Sequence, residues 1–500
     1  MEDIKLLYVV RQKVLYFQGF SICLFFILFY LFDLKGSAFF LLFLSCYNLA
    51  VYAYIFYKEF TLSSIFHPFM IFPLVAIQYI GLNGISLYGD LSSGEPIYFG
   101  IYIINSYITT GALYLTLEHF LIFLGYYIYD WKRRNYDDAT VDYMSIHSSN
   151  FPYKKWAIYI YIAVWLIRIL YNFLPLVSIS SIFSLIYTQG QLVTLTLLAL
   201  KMLKGDGSHL ITRLFWLITG IEIIFVLGGG MKEGILQNLL PYLIYLFAGY
   251  KNGRFSFNSV FVTKIVVLLA FIVYVVFPYI SLFREIASRK NVSWGEVTVK
   301  ETMIEYFDYI MDKGRYSDEQ QAKNKGLDYV LSRAGSIACN AWSINYASTE
   351  GLQPQYFYYC ATAVVPRILW PDKPPVTIGG MMYKLATGHS DWETSGRRAS
   401  VAYTIGFIGG CYFSFGIIGA LMFPFVAGLF VGWFWHFLRS YIYFNPIAIW
   451  AFYTIIKTVF KDFENLTDGG FVFYVWSLVY FIIIKYIIPL NNYIYDSNRE

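Results

Sequence analysis

The stretch Val401 to Trp435, VAYTIGFIGGCYFSFGIIGALMFPFVAGLFVGWFW, holds no acidic or basic side chain. A bilayer's hydrocarbon core is about 30 Å thick and takes about 20 helical residues to cross, so this run makes one span with residues left over. The surplus leaves room for a re-entrant segment ahead of the span proper. Comparable apolar runs lie at Val14 to Leu31, Ser37 to Tyr57, Phe69 to Leu87, Ile101 to Tyr127, Trp156 to Leu174, Ile179 to Leu200, Ile211 to Leu227, Ile235 to Ala248, Val260 to Phe283, Ile447 to Phe460 and Phe471 to Ile488. The chain therefore reads as an all-α polytopic membrane protein with about 12 transmembrane helices. Composition agrees, since 58% hydrophobic, 21% aromatic and 14% charged residues exclude a soluble enzyme. Long unbroken runs without period-2 alternation exclude a transmembrane barrel.

Sidedness follows from Lys and Arg in the short connections. With the amino terminus inside, eighteen fall in inner segments, Arg11, Lys58, Arg133, Lys154, Lys201, Lys251 and Arg439 among them, against Lys35, Lys232, Lys457 and Lys461 in the short outer ones. An even number of spans returns the carboxyl terminus to the cytoplasm. The long connection, 117 residues from Arg284 to Ser400, then lies on the outer side. The expected organisation is transmembrane helices 1–9 over residues 1–283, an extramembrane helical loop domain over 284–400, and helices 10–12 over 401–500. Within the loop, Leu327, Val330, Leu331, Ala334, Ile337, Ala338, Ala341 and Ile344 recur at helical spacing, so these helices pack on each other or lie on the bilayer face. A proline-rich break follows at Pro366, Pro371, Pro374 and Pro375. The net charge of +5 reflects the cytoplasmic loops and gives no reason to expect nucleic acid. Nothing at the amino terminus reads as a cleavable leader, because the first apolar run ends at Asp33 without a small-residue site.

Cys23, Cys46 and Cys411 sit in apolar runs and read as core packing, whereas Cys339 and Cys360 in the long loop are either a disulfide or two reduced thiols. Ionised groups at membrane depth need a reason. Arg168 and Glu222 lie near the outer ends of the fifth and seventh spans, where they form an ion pair or leave Arg168 to bind an anion. Glu118, His119 and His436 read as packing and interface groups. The outer turn Gly228-Gly229-Gly230-Met231-Lys232-Glu233-Gly234 precedes a helix, and a helix start with Lys232 beside it suits an anion. In the long loop Arg284, Arg367, Arg397 and Arg398 are further candidates to hold phosphate, Arg284 and Arg398 because each abuts a span. His389, with Asp391 nearby, is the expected catalytic base. No metal, no other cofactor and no ATP site is expected.

Cationic groups at phosphate depth beside lipid-facing walls suit a sugar chain on a polyprenyl diphosphate. The segment Val365-Pro366-Arg367-Ile368-Leu369-Trp370-Pro371-Asp372-Lys373-Pro374 resembles the PRxLWPDKP stretch of O-antigen polymerases and related Wzy-type oligosaccharide repeat-unit polymerases. The turn from Gly229 to Gly234 resembles the glycine, basic residue, glycine turn of polymerases and O-antigen ligases, and Gly406 to Gly419 resembles their glycine-dotted helix after the periplasmic loop. Two features depart from the family: Lys232 stands where Arg is usual, and one large outer loop stands where better-known polymerases have two. The resemblance implies a fold related to the C-type membrane glycosyltransferases, in a bacterial inner membrane. It also implies transfer of a growing glycan from undecaprenyl diphosphate onto a single lipid-linked repeat unit. Donor and acceptor lipid-linked oligosaccharides and membrane lipids are then the partners, with room for a chain-length regulator. On this expectation Lys232, Arg168, Arg284, Arg367, Arg397 and Arg398 hold the diphosphate, while His389 or Asp391 takes the acceptor's proton. Two rivals stay open, an O-antigen ligase with the same donor and a lipid-linked oligosaccharide flippase or other transporter.

Overall fold

A computed structural model describes residues 2–62, 66–68, 71–99, 101–131, 151–173, 180–205, 209–228, 232–251, 336–363, 405–443, 445–460 and 471–487, with isolated positions elsewhere. The described chain is overwhelmingly helical. In order come α1 (Glu2–Leu31), α2 (Ala38–Leu62) and α3 (Phe72–Ala76), which runs through a π-helical turn, Ile77–Leu82, into α4 (Asn83–Ser93). Strands β1 (Tyr98–Phe99) and β2 (Tyr102–Ile103) form a small hairpin before α5 (Ile108–Trp131). Helices α6 (Tyr153–Phe173), α7 (Ser180–Leu203), α8 (His209–Gly228) and α9 (Lys232–Lys251) follow. The last set is α10 (Ser336–Thr349), α11 (Pro354–Ala363), α12 (Phe407–Leu438), α13 (Pro446–Phe460) and α14 (Phe473–Ile482) with a π-helical end, Ile483–Ile487.

Among the described residues, Arg11–Leu31, Ala38–Phe60, Asn105–Asp130 and Phe407–Leu438 are helical segments long and apolar enough to cross a membrane. Their outward faces are apolar too: Phe20 is 71% and Phe39 77% exposed. Such a surface is stable against lipid rather than water. The run Val260 to Phe283 lies almost wholly outside the described residues. The run beginning at Ile101 opens in the hairpin, where Tyr98 pairs with Ile103 and Phe99 with Tyr102, and turns helical at Asn105, first as a 3-10 turn and then as α5 from Ile108. Cys23 and Cys46 are exposed rather than packed in the core, because on a lipid-facing helix side an apolar residue gains nothing by turning inward. All five cysteines are free thiols, with Cys339, Cys360 and Cys411 buried.

The chain groups into two units, Met1–Val141 with Ala334–Asn491, and Asp142–Arg333 with Asn492–Glu500. In the first, α5 is the central helix, packed against α12 and α10. Glycines let these backbones touch, since a Cβ on Gly428 would overlap the Ile122 carbonyl and one on Gly125 the Phe425 carbonyl. Within α12 the helix breaks at Gly416, whose φ of 64° and ψ of −149° belong to a region that is essentially glycine's alone. A Cβ on Gly419 would overlap the Cys411 carbonyl, although eight residues of straight helix span about 12 Å. The arm 407–415 therefore folds back along the long arm 417–438, and it is this arm that takes up the surplus length of the apolar run. Helix α10 differs from a surface element of the long loop. Ile337, Asn340, Ala341, Trp342, Ser343 and Ile344 are all buried, and the helix packs on α5 and α12.

In the second unit α7 packs against α6, α8 and α9. From Gln189 to Leu203 nearly every side chain is buried, as expected of a helix apolar on all sides.

Candidate functional site

Arg168 and Glu222 meet. Arg168 Nη1 lies 3.0 Å from Glu222 Oε1, and Nη2 lies 2.7 Å from Oε2, a two-point fork between α6 and α8. Nη2 also donates to Gln191 Oε1 of α7 at 2.5 Å, and the Tyr161 hydroxyl donates to Glu222 Oε1 at 3.2 Å. The guanidinium lies over the Trp165 ring, 5.4 Å from its centroid. Glu222 is 0% exposed and Arg168 15%. Of the two readings open in the sequence, the structure contains the ion pair, and the two-point grip that phosphate needs is occupied by Glu222. Lys232 is the first residue of α9, and α8 ends at Gly228, so the glycine turn leads into a helix start as its composition dictates. The side chain of Lys232, together with Arg284, Arg367, His389, Asp391, Arg397 and Arg398, lies outside the described residues.

The long connection is nevertheless anchored where it is described. The folded-back arm of α12 begins at Phe407 with its first residues buried, so its opening amides need partners from the protein. Glu118 Oε2, from the middle of α5, accepts the Ile408 N–H at 3.1 Å, and Asn340 Oδ1, from α10, accepts the Gly409 N–H at 3.1 Å. Both side chains are fully buried. A carboxylate also complements the positive end of a helix. Glu118, a packing group by sequence, thus caps a helix that starts 290 residues further along the chain. A lone carboxylate inside an apolar run signals it; Asn340 carries no such signal.

A second charged cluster in the same unit joins the carboxyl-terminal ends of α2, α5 and α12 to α1. Arg11 grips Glu59 at 2.7 and 2.8 Å and Asp130 Oδ2 at 2.6 Å. His436 Nε2 sits 2.8 Å from Asp130 Oδ1. His67 Nε2 faces Arg11 Nη2 at 3.4 Å and the Tyr126 hydroxyl at 2.7 Å. Since guanidinium only donates, that nitrogen accepts. Burial presses the His67 imidazole down to about 3, against the pull of Glu59, so it stays neutral. The sequence reading counts Arg11 as a loop charge and His436 as an interface group. Only the fold reveals that four helices and the segment at His67 share them.

Between α1 and α5 lies an apolar cavity of about 410 Å³ lined by Leu15, Gly19, Phe20, Phe120, Leu124 and Tyr127, of a chemistry that suits a lipid chain. When the chain is compared with protein-family models, with curated proteins and with solved structures, nothing matches significantly.

Proposed function

We infer that this chain is a membrane glycosyltransferase that polymerises undecaprenyl-diphosphate-linked oligosaccharide repeat units at the outer face of a bacterial inner membrane. In this reading it has about 12 spans and cytoplasmic termini, and its fold is related to that of the C-type glycosyltransferases. The terminal hydroxyl of the single repeat unit attacks the anomeric carbon of the growing chain, its proton passes to His389 or Asp391, and undecaprenyl diphosphate leaves. That leaving group is already acidic, so most of the rate comes from cations meeting the charge that builds on it. Lys232, Arg284, Arg367, Arg397 and Arg398 supply those cations. Arg168, engaged with Glu222, holds the helices that bring Lys232 to its place.

The observation that carries the reading is the anchoring of the polar insert. Asn340 and the glycine-lined start of α12 bind its described parts into the helical core beside Glu118. Irregular backbone at membrane depth is tolerated where protein encloses it. The same insert bears the PRILWPDKP stretch, from Pro366 to Pro374, that resembles repeat-unit polymerases. The test is chain elongation by purified variants, using the lipid-linked repeat unit that accumulates in cells lacking the protein. Replacing a well-aimed cation among Lys232, Arg284, Arg397 and Arg398 by Ala slows elongation by about 10² or more. His389→Ala slows it as well. Variants that all elongate at the wild-type rate contradict this site.

A further inference from the structure

Tyr102 of β2 stands beside Trp342 of α10, ring centroids 6.3 Å apart, and Trp342 stands 5.3 Å from Tyr346 one turn along. Phe99 and Phe413 back the indole at 4.9 and 6.3 Å. The row passes from closed to open. Trp342 and Phe413 are buried, Tyr346 is half-buried, and Tyr102 is 41% exposed. At its open edge is Glu350, exposed, whose backbone N–H donates to the Tyr346 carbonyl at 2.8 Å. Glu350 thus stands one turn beyond Tyr346 on the same helix face, and burial together with its charge pushes the Tyr346 phenol up. The Trp342 indole N–H has no hydrogen-bond partner among the described residues.

The described segments that carry these rings, residues 95–99, 101–107, 336–363 and 405–416, contain no Lys, Arg or His. Flat apolar rings with phenol hydroxyls and a carboxylate one turn along match a molecule that is apolar on its ring faces and rich in hydroxyl donors at its edge.

We propose that Tyr102, Tyr346 and Glu350 form a sugar-binding subsite for the oligosaccharide of the incoming repeat unit. The rings take a sugar face and the carboxylate accepts its hydroxyls. The subsite rests on the polymerase reading and assigns these residues a positioning role, separate from the cations on the diphosphate.

The experiment measures binding of the oligosaccharide released by mild acid from the accumulated lipid-linked repeat unit. Full-length protein in detergent is titrated by saturation-transfer NMR, and the same samples are assayed for elongation. Tyr102→Ala, Tyr346→Ala and Glu350→Gln each weaken binding by about tenfold, and the acceptor KM rises in step while kcat changes little. Tyr346→Phe keeps the ring and retains most of the affinity. Glu350 is at the surface, so its variant folds even where Tyr346→Ala does not. Wild-type protein that fails to bind the oligosaccharide, or variants that bind as well as wild type, overturn the subsite and leave the rings as an aromatic belt at the bilayer interface. Unchanged binding with normal elongation sinks the subsite alone. Ring-dependent binding by a protein that never elongates sinks the polymerase reading alone.

Discussion

Among the described residues, the buried Arg11 and the half-buried Arg168 are compensated differently. Arg11 has two carboxylates, Glu59 on α2 and Asp130 on α5, and its second acid is shared with His436 of α12. Arg168 forks onto a single carboxylate, Glu222, and also donates to the neutral Gln191. At the first site, neutralising one acid leaves the cation with another. At the second, the two-point grip rests on Glu222. The comparison teaches that the cost of breaking a buried ion pair depends on what remains to hold the stranded charge, more than on the length of the bond that is cut.

The largest effect belongs to Arg11→Met. It removes the two-point partner of Glu59, which is almost wholly buried, and one of the partners of Asp130, and costs about 3–5 kcal/mol. A steep fall in the detergent unfolding midpoint checks it. Next comes Glu222→Gln, which takes the two-point carboxylate from Arg168, a guanidinium partly open to solvent, at about 2–3 kcal/mol. Arg168→Met combined with Glu222→Leu recovers most of that loss, because a well-packed apolar pair replaces both charges. Asp130→Asn is expected to be milder, about 1–2 kcal/mol, since Glu59 still holds Arg11 and the amide oxygen still accepts from His436. If Asp130→Asn proves more damaging than Glu222→Gln in the same melting series, the comparison is broken. The smallest change is Tyr161→Phe, which removes one hydroxyl donor from Glu222 and costs about 1 kcal/mol.

Much of the fold is legible because hydropathy acts at helix scale. Each apolar run whose residues are described contains a helix, and the glycine surplus around Gly416 marks the place where a helix reverses. The Arg168–Glu222 pair is legible for a related reason, since two opposite charges at similar depth in neighbouring spans stand out against lipid-compatible sequence. The β1–β2 hairpin is not legible, because strands of two residues carry no periodic pattern. Nor is the burial of α10. Its face presents Asn340 and Ser343 alongside Ala341 and Ile344, and the polar members look solvent-directed until Gly406 and Gly409 bring a helix start against them. The Arg11 cluster escapes because its charged members stand at the ends of apolar runs, where charges are ordinary and nothing in one dimension says which ends meet. The same limit explains the platform around Trp342, assembled from three segments far apart in the chain.

The account stands or falls on glycan elongation. Purified wild-type protein is mixed in liposomes with the lipid-linked repeat unit alone, with no other protein or nucleotide added, and the products are separated by length. The account predicts a ladder rising in steps of one repeat as undecaprenyl diphosphate is released. A single unextended repeat, whether unchanged or merely carried across the bilayer, would contradict it.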